Sequence, residues 1–450
     1  MDALVLVVPT VTEVQALAPD AAAAAAARKL AKSRSWQQLG LSERALWGEY
    51  NGSSPYQTAV SAPELACKCT CPSRKLPCKH ALALLFALAE SKPSFREAAT
   101  GEEPEWVSSW LSKREATRQR LQRRADGSQT KSADLEARAQ RASKRHSNVL
   151  AGIDQLEIWM ADLVRHGLGR RPGEGTELWD TQARRLVDAQ APGLASRVRA
   201  IGSRVGVGDS WTERVLGDLG RLALLTHAYR RLDALPLALK DDVRRWVGFT
   251  LDKDEVLARG ETLEDEWVVV SATINDDETL RLRRAWLVGK QTARVALILD
   301  VAAGSTPFAH TLVPASAFRG RLVFWPSSRP ERALIAERLG PPARDFAPPH
   351  ARSIAEALDA YAAGLARDPW LERTLLVLDN VVVARSAAAA WHAVDSSGQS
   401  LRLRGDGHDV LFALSGGRPL CLAAEWNGFV LEPLLAYAEG RAVALKGNSA

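Results

Sequence analysis

Cysteine is scarce in this chain: five residues in 450, four of them between positions 67 and 78. So small and crowded a set cannot staple a disulfide framework, and it fits reduced, metal-binding thiols instead. Long apolar runs are also missing. The uniform stretch Ala21 to Ala27 has seven residues, against the ~20 that span a bilayer. The opening MDALVLVVPT carries Asp2 where a secretory leader needs positive charge. The expectation is therefore a cytoplasmic protein without a membrane segment. The usual signatures of nucleotide and catalytic chemistry are absent too. There is no G-x-x-x-x-G-K-[ST] phosphate loop, H-E-x-x-H pair, nucleophile elbow or dinucleotide fingerprint. GSRVGVG at 202–208 lacks the lysine of a phosphate loop and reads as a plain loop.

What is present suits a soluble chain of two or three domains, with 46% hydrophobic and 25% charged residues. The net charge of +6 is unevenly placed. Lys113 to Arg145 holds 11 basic and 4 acidic residues, which leaves the rest of the chain near neutral. Arginine outnumbers lysine 46 to 13; this suits phosphate contacts, although an Arg- and Ala-rich coding bias produces the same ratio.

Periodicity divides the chain into four parts. Residues 1–95 form an N-terminal domain. It opens with a helix over 11–35 started at Pro19 and Asp20, continues into strands at Arg44–Tyr50 and Tyr56–Ser61 around the turn Asn51-Gly52-Ser53-Ser54-Pro55, and ends in an apolar helix from about Lys79 to Glu90. Residues 96–147 read as a basic, partly helical linker in which Trp106 and Trp110 share a face. Residues 148–260 are helical. Val149, Ile153, Leu156, Met160 and Leu163 recur at helical spacing, and Ser210-Trp211-Thr212-Glu213 reads as a capping box. From 261 the period becomes that of strands, at 266–275, 280–288, 293–301, 321–325, 374–385, 390–395, 400–404, 408–415, 418–425 and 428–433. Helices are expected at 330–339 and 351–366, and no internal repeat is apparent. The fold class expected is α+β multidomain, with a ββα unit at about 44–90, a helical middle and a β-rich C-terminal region.

Chemistry concentrates at 67–80. Cys69, Cys71, Cys78 and His80 make a C-x-C-x6-C-x-H array around a basic loop bounded by Pro72 and Pro77. Thiolates with imidazole select zinc, and three sulfurs plus one nitrogen fill a tetrahedral shell, which marks a structural site and not a catalytic one. Cys67, Cys69 and Cys71 lie two apart and face one way in a strand, so spacing alone leaves open which two of them bind metal.

The array CTCPSRKLPCKH, with WGEYNGSSPYQ before it, resembles the SWIM zinc finger, a ββα unit, and in particular its bacterial members. The resemblance implies that Cys69, Cys71, Cys78 and His80 hold one structural zinc ion, with Cys67 outside the set. It also implies a partner, either DNA or protein. Bacterial relatives suggest an AAA-type ATPase and a von Willebrand A-type protein as protein partners.

Lys68, Arg74, Lys75 and Lys79 leave the zinc-loaded finger at about +3, which makes them candidate contacts to phosphate or to an acidic surface. A solvated basic surface is the plain alternative. The remaining histidines, at 146, 166, 227, 310, 350, 392 and 408, form no recognisable set. Asp276-Asp277-Glu278 and the Gly405–Asp409 stretch read as turns, and Cys421 as a core residue. The expectation is a non-enzymatic zinc protein that binds nucleic acid through its finger. The alternative is a protein-interaction adaptor.

Overall fold

The computed structural model describes residues 9–19, 21–52, 54–62, 65–73, 75, 77–90, 95–99, 101–125, 132–168, 177–208, 210–276, 280–303, 308–340, 342–345, 347–405 and 407–445. Of these, the side chains of 116–125, 132–139 and 276 are left aside. The N-terminal unit holds α2 (Ala21–Ala31), the helix expected to start at Pro19 and Asp20, and a further short helix, α1 (Val11–Ala16), before it. The break falls at Leu17–Pro19, where proline denies the first helix a donor. The start of α1 is set by a capping box between Thr10 and Glu13.

Strands β1 (Trp36–Leu41), β2 (Ala45–Asn51), β3 (Pro55–Ser61) and β4 (Cys67–Cys69) form an antiparallel run. Helix α3 (Lys79–Glu90) follows, and then β5 (Arg96–Glu97) pairs parallel to β1, giving a sheet of order β4-β3-β2-β1-β5. Every residue of α3 from His80 to Leu88 is buried, because the helix lies between the sheet and α1–α2. The opposite face of the sheet is also covered. Ala45, Trp47 and Ala59 pack on Val107, Trp110 and Leu111 of α4 (Glu105–Ala125). The start of the basic segment is thus part of the N-terminal core.

Helix α5 (Ser132–His166) runs without a break across position 147, and α6 (Glu177–Asp188), α7 (Pro192–Gly202), α8 (Trp211–Arg230) and α9 (Leu237–Val247) complete a bundle. Its core takes Val149, Ile153, Leu156, Met160 and Leu163 from α5, the residues expected from their spacing. The capping box at Ser210 does not form. Ser210 has a non-extended backbone (φ −100°, ψ 27°), so its hydroxyl cannot reach the Glu213 amide, and its carbonyl instead takes the Arg214 side chain. Gly248 ends α9 at φ +117°, and a Cβ there would meet the Gly193 backbone nitrogen at 2.6 Å, so glycine is required by both conformation and space. Helix α10 (Lys253–Arg259) leads into the β-rich region.

That region is two barrels of one topology. In the first, β6 (Thr262–Asp276) pairs antiparallel with β7 (Leu280–Gly289), and β7 with β8 (Val295–Ala303). β9 (Ser316–Phe324) pairs antiparallel with β6 and with β10 (Arg332–Arg338), and β10 closes the ring by running parallel to β8. β11 (Ala343–Arg344) extends β9. After α11 (Ile354–Arg367), β12 (Thr374–Arg385), β13 (Trp391–Val394) and β14 (Ser400–Arg402) form a meander. Helix α12 (His408–Ser415) leads to β15 (Leu420–Trp426), which pairs with β12 and with β16 (Leu431–Ala438). A parallel bridge from Leu403 to Leu431 closes this ring as well, and β17 (Arg441–Ala444) extends β16. Numbered within each barrel, the strand order around the ring is 1-2-3-5-4, with strand 5 parallel to strand 3. This is the five-stranded Greek-key arrangement of OB-type barrels. The region therefore contains a structural repeat that the sequence conceals.

Two segments differ from expectation. Residues 332–338 form a strand, although RALIAER is made of helix formers. The free edges of β8 and β9 supply hydrogen bonds on both sides, and this outweighs local propensity. Residues 408–415 form a helix and not a strand, entered and left through Gly407 and Gly416 at positive φ, and burying Leu411 and Ser415 one turn apart.

The outer face of β6–β8 packs on the outer face of β12, β15 and β16, joining Trp286, Val288 and Leu297 to Leu375, Val377, Ala423 and Leu435. Cys421 is buried in this joint. The bundle meets the first barrel at buried Asp242, which accepts from Ser327 Oγ at 2.6 Å and Ser328 N at 2.8 Å.

Candidate metal centre

Strand β4 hangs on β3 in a register that sets Thr58 opposite Cys69. Beyond Cys71 the chain crosses the Pro72–Pro77 loop and returns as Cys78 and His80 at the start of α3. The donor atoms of Cys69, Cys71, Cys78 and His80 all lie within 4.8 Å of one another. Cys78 and His80 are buried, while Cys69 and Cys71 are half-buried. Among the described residues this is the one group of three or more Cys, His, Asp or Glu side chains close enough to share a metal ion.

The donors fit zinc. A tetrahedron with Zn–S bonds of about 2.3 Å and a Zn–N bond of about 2.0–2.1 Å has S–N edges of about 3.6 Å, and Cys69 Sγ lies 3.8 Å from His80 Nδ1, close to that value. Nδ1 is thus the imidazole atom turned toward the sulfurs. The surrounding groups hold the ligands in place. The Ala81 amide donates to Cys78 Sγ at 3.5 Å, and the Thr58 hydroxyl lies 3.1 Å from Cys69 Sγ. The His80 ring packs against both Tyr50 and Tyr56, with centroids at 5.2 and 5.0 Å. These three residues were legible only as strand positions. Tyr50 and Tyr56 face each other across the β2–β3 hairpin, so the strand alternation held the signal, but nothing local tied it to the histidine.

Hydrogen bonding inside the cluster splits the thiols. Cys69 and Cys78 act as donors in the group and are pushed up, while Cys71, accepting from both, is held far below the ordinary thiol range. Cys67 stands apart. Its thiol donates to the Leu65 carbonyl at 3.4 Å, and burial first, with the neighbouring Cys69 second, raises it to about 12. This settles which cysteines of the strand belong to the set.

The candidate contact residues divide. Lys75 and Lys79 are exposed beside the ligands. Lys68 instead donates from Nζ to the Trp106 carbonyl at 3.3 Å, against α4. Arg74 lies outside the described residues, as do Asp277 and Glu278 of the acidic turn. Of the histidines, His146 bonds Tyr229, and His166, His350 and His392 each bond a backbone carbonyl, far from one another in the fold.

Residues 56–89 match the family model of the SWIM zinc finger, and residues 144–247 match that of the SWIM-associated four-helix bundle domain. No curated protein and no solved structure matches the chain. The chain thus pairs a finger positioned to bind one zinc ion with the bundle associated with such fingers. No helix among the described residues is long and apolar enough to cross a membrane.

Proposed function

We propose that this chain, with its SWIM zinc finger and associated bundle, is a non-enzymatic nucleic-acid-binding protein whose finger presents a basic loop to phosphates. The observation that carries the reading is the exposure of Lys75 and Lys79 at the rim of a ligand set that has no open coordination position. When bound, zinc supplies a fixed tetrahedral corner and no chemistry on a substrate. The residues do the rest: Lys75 is flanked by the ligands Cys71 and Cys78, and Lys79 lies between the ligands Cys78 and His80, so both cations are presented with little freedom to lose on binding. Electrostatic contacts of this kind weaken as salt rises. Anisotropy titrations against duplex DNA at several salt concentrations test the reading, comparing the native chain with a triple Ala variant at Arg74, Lys75 and Lys79. Absence of binding at low salt, or an unchanged affinity in the variant, sinks it.

A second reading has its own support. Helix α8 leaves Leu216 and Leu224 exposed at 53% and 47%, on a face that also carries Gly217 and Gly220 with open space around them. Such a face suits a protein partner, and the AAA-type ATPase and von Willebrand A-type proteins suggested by the resemblance are the first candidates. Their co-purification with the chain, free of nucleic acid, supports an adaptor role.

A further inference from the structure

Helix α8 turns outward a face unlike that of a solvated helix. Its inner side is regular: Val215, Leu219, Leu222, Leu225 and Tyr229 are buried in the bundle. The opposite side is made of Leu216, Gly217, Gly220, Ala223 and Leu224, all exposed. At 3.6 residues per turn these five fall within one stripe about 120° wide. An outward helix face normally carries charged and polar groups, yet between Glu213 and His227 this stripe has none. The charges of α8 stand to either side of it, and Asp218 and Arg230 are engaged there with Arg204 and with Asp154 and Glu157. A Cβ added to Gly217 or Gly220 would meet nothing within 4 Å. Glycine in a helix interior is about four- to fivefold less favourable than alanine, and no described neighbour requires it at these positions. A backbone approaching from outside the chain does require it.

The stripe is also symmetric about Gly220. Gly217 and Ala223 stand three residues to either side, Leu216 and Leu224 four, and Glu213 and His227 seven. Laid antiparallel on a copy of itself, with the two Gly220 residues adjacent at the two-fold axis, the helix sets Leu216 of each copy against Leu224 of the other. Glycine meets alanine inside those leucines, and a carboxylate meets an imidazole outside them, so no like charges face each other within the stripe. This is the self-complementarity that an isologous contact demands. A surface shaped for a foreign partner has no reason to be alike from both ends. The match continues beyond the helix, where Val207 precedes α8 and Leu237 follows it, exposed at 59% and 70%. Antiparallel pairing brings the start of one α8 to the end of the other.

We propose that the occupant of this face is a second copy of the chain, paired antiparallel through α8 into a two-fold dimer. The pairing rests on the second reading above, that the face is a protein interface, and puts the chain itself in the place of a foreign partner. The glycines let two backbones approach closely at the centre, and the leucines close over the contact from both ends. From Glu213 to His227 the contact runs about 21 Å, short for a standard interface, so the dimer is a reversible one in the micromolar range. Pairing also gives each assembly two zinc fingers, and two linked sites bind one extended ligand more tightly than either site alone.

Sedimentation velocity of the full-length, zinc-loaded protein across the micromolar range is the test. The native chain should pass from its own mass to twice that mass as concentration rises. Gly220→Leu puts a side chain between the two backbones while meeting nothing in its own chain, and should weaken association about tenfold or more. Leu216→Arg with Leu224→Arg should do the same. Circular dichroism melts confirm that each variant keeps the native fold. For the register, Leu216→Cys mixed with Leu224→Cys should form a linked dimer under mild oxidation, and either one alone should form little of it. The proposal is overturned if the native chain keeps its single mass throughout, if both variants associate as it does, or if Leu216→Cys alone links as well as the mixture. A single-mass chain that binds the protein partners named for the adaptor role, with Gly220→Leu abolishing that binding, overturns the pairing and leaves the adaptor reading standing. A single-mass chain that binds neither overturns both.

Discussion

Tyr56 covers one face of His80, their ring centroids 5.0 Å apart and their planes tilted by 33°. The ring restrains the imidazole so that Nδ1 stays turned to the sulfurs. Outer groups that orient a ligand typically contribute about tenfold or more to metal affinity. Tyr56→Ala is expected to weaken zinc binding by about that factor without removing a ligand, and competition with a chromophoric chelator measures it. Wild-type affinity in this variant would mean that the ring only fills space.

Removing the metal should unfold one unit and spare the others. Zinc binding and folding are coupled where the ligands join strand, loop and helix, and here they tie β4 to α3. Cys78→Ser or His80→Ala is expected to abolish hydrogen-exchange protection across α3. The bundle and barrels, each with its own core, should keep theirs. Hydrogen exchange with and without chelator reads this region by region.

Zinc uptake should also depend on pH with a definite sign. Cys69 and Cys78 are raised above the ordinary thiol value by hydrogen bonding within the cluster, so zinc must displace protons from them. Affinity is therefore expected to rise with pH between about 6 and 8, with protons released on binding. Calorimetry in buffers of different ionisation enthalpy counts them.

Glu425 joins the two barrels. Its carboxylate accepts from Trp286 Nε1 at 2.8 Å, from Arg284 Nη2 at 2.8 Å and from Arg373 Nη1 at 2.7 Å. Burial works to raise this carboxyl, but Arg284, Arg373 and Trp286 together override it, and the group ends below its ordinary value. A carboxyl lowered in the folded state gives stability that is present above its unfolded value, about 4.3, and is lost as pH falls through the folded one. Glu425→Gln should flatten the acid limb of the stability profile, and Glu425→Ala should cost about 1.5–3 kcal/mol, the worth of hydrogen bonds to a charged group. Urea midpoints across pH 3 to 7 measure both; identical acid limbs in the native chain and Glu425→Gln would refute the assignment.

Asp242 has the same role between bundle and barrel. It is fully buried and accepts from both serines of the β9–β10 loop as well as from Arg245. Removing one partner of a buried charge pair costs about 3–5 kcal/mol. Asp242→Ala is expected to fall in that range, and to raise proteolysis of the 325–331 loop before global unfolding.

The sequence alone was enough for the ligand array, the bounds of α3, the apolar stripe of α5 and most strands. Each of these depends on short-range spacing: two residues along a strand, three or four along a helix, and six between ligand pairs. It could not exclude Cys67 from the metal set, because strand alternation turns Cys67, Cys69 and Cys71 the same way, and only the folded path of β4 separates their sulfurs. It also could not reveal the barrels. Their closure depends on pairings such as Leu297 with Arg332 and Leu403 with Leu431, between residues with no common local pattern, and those pairings made 332–338 a strand against its own propensity. Which strand face remains open was decided by docking. The joint of the barrels buries Trp286 and Val288 of one and leaves Arg402 and Arg404 of the other in solvent, a consequence of packing between whole domains that no stretch of sequence encodes.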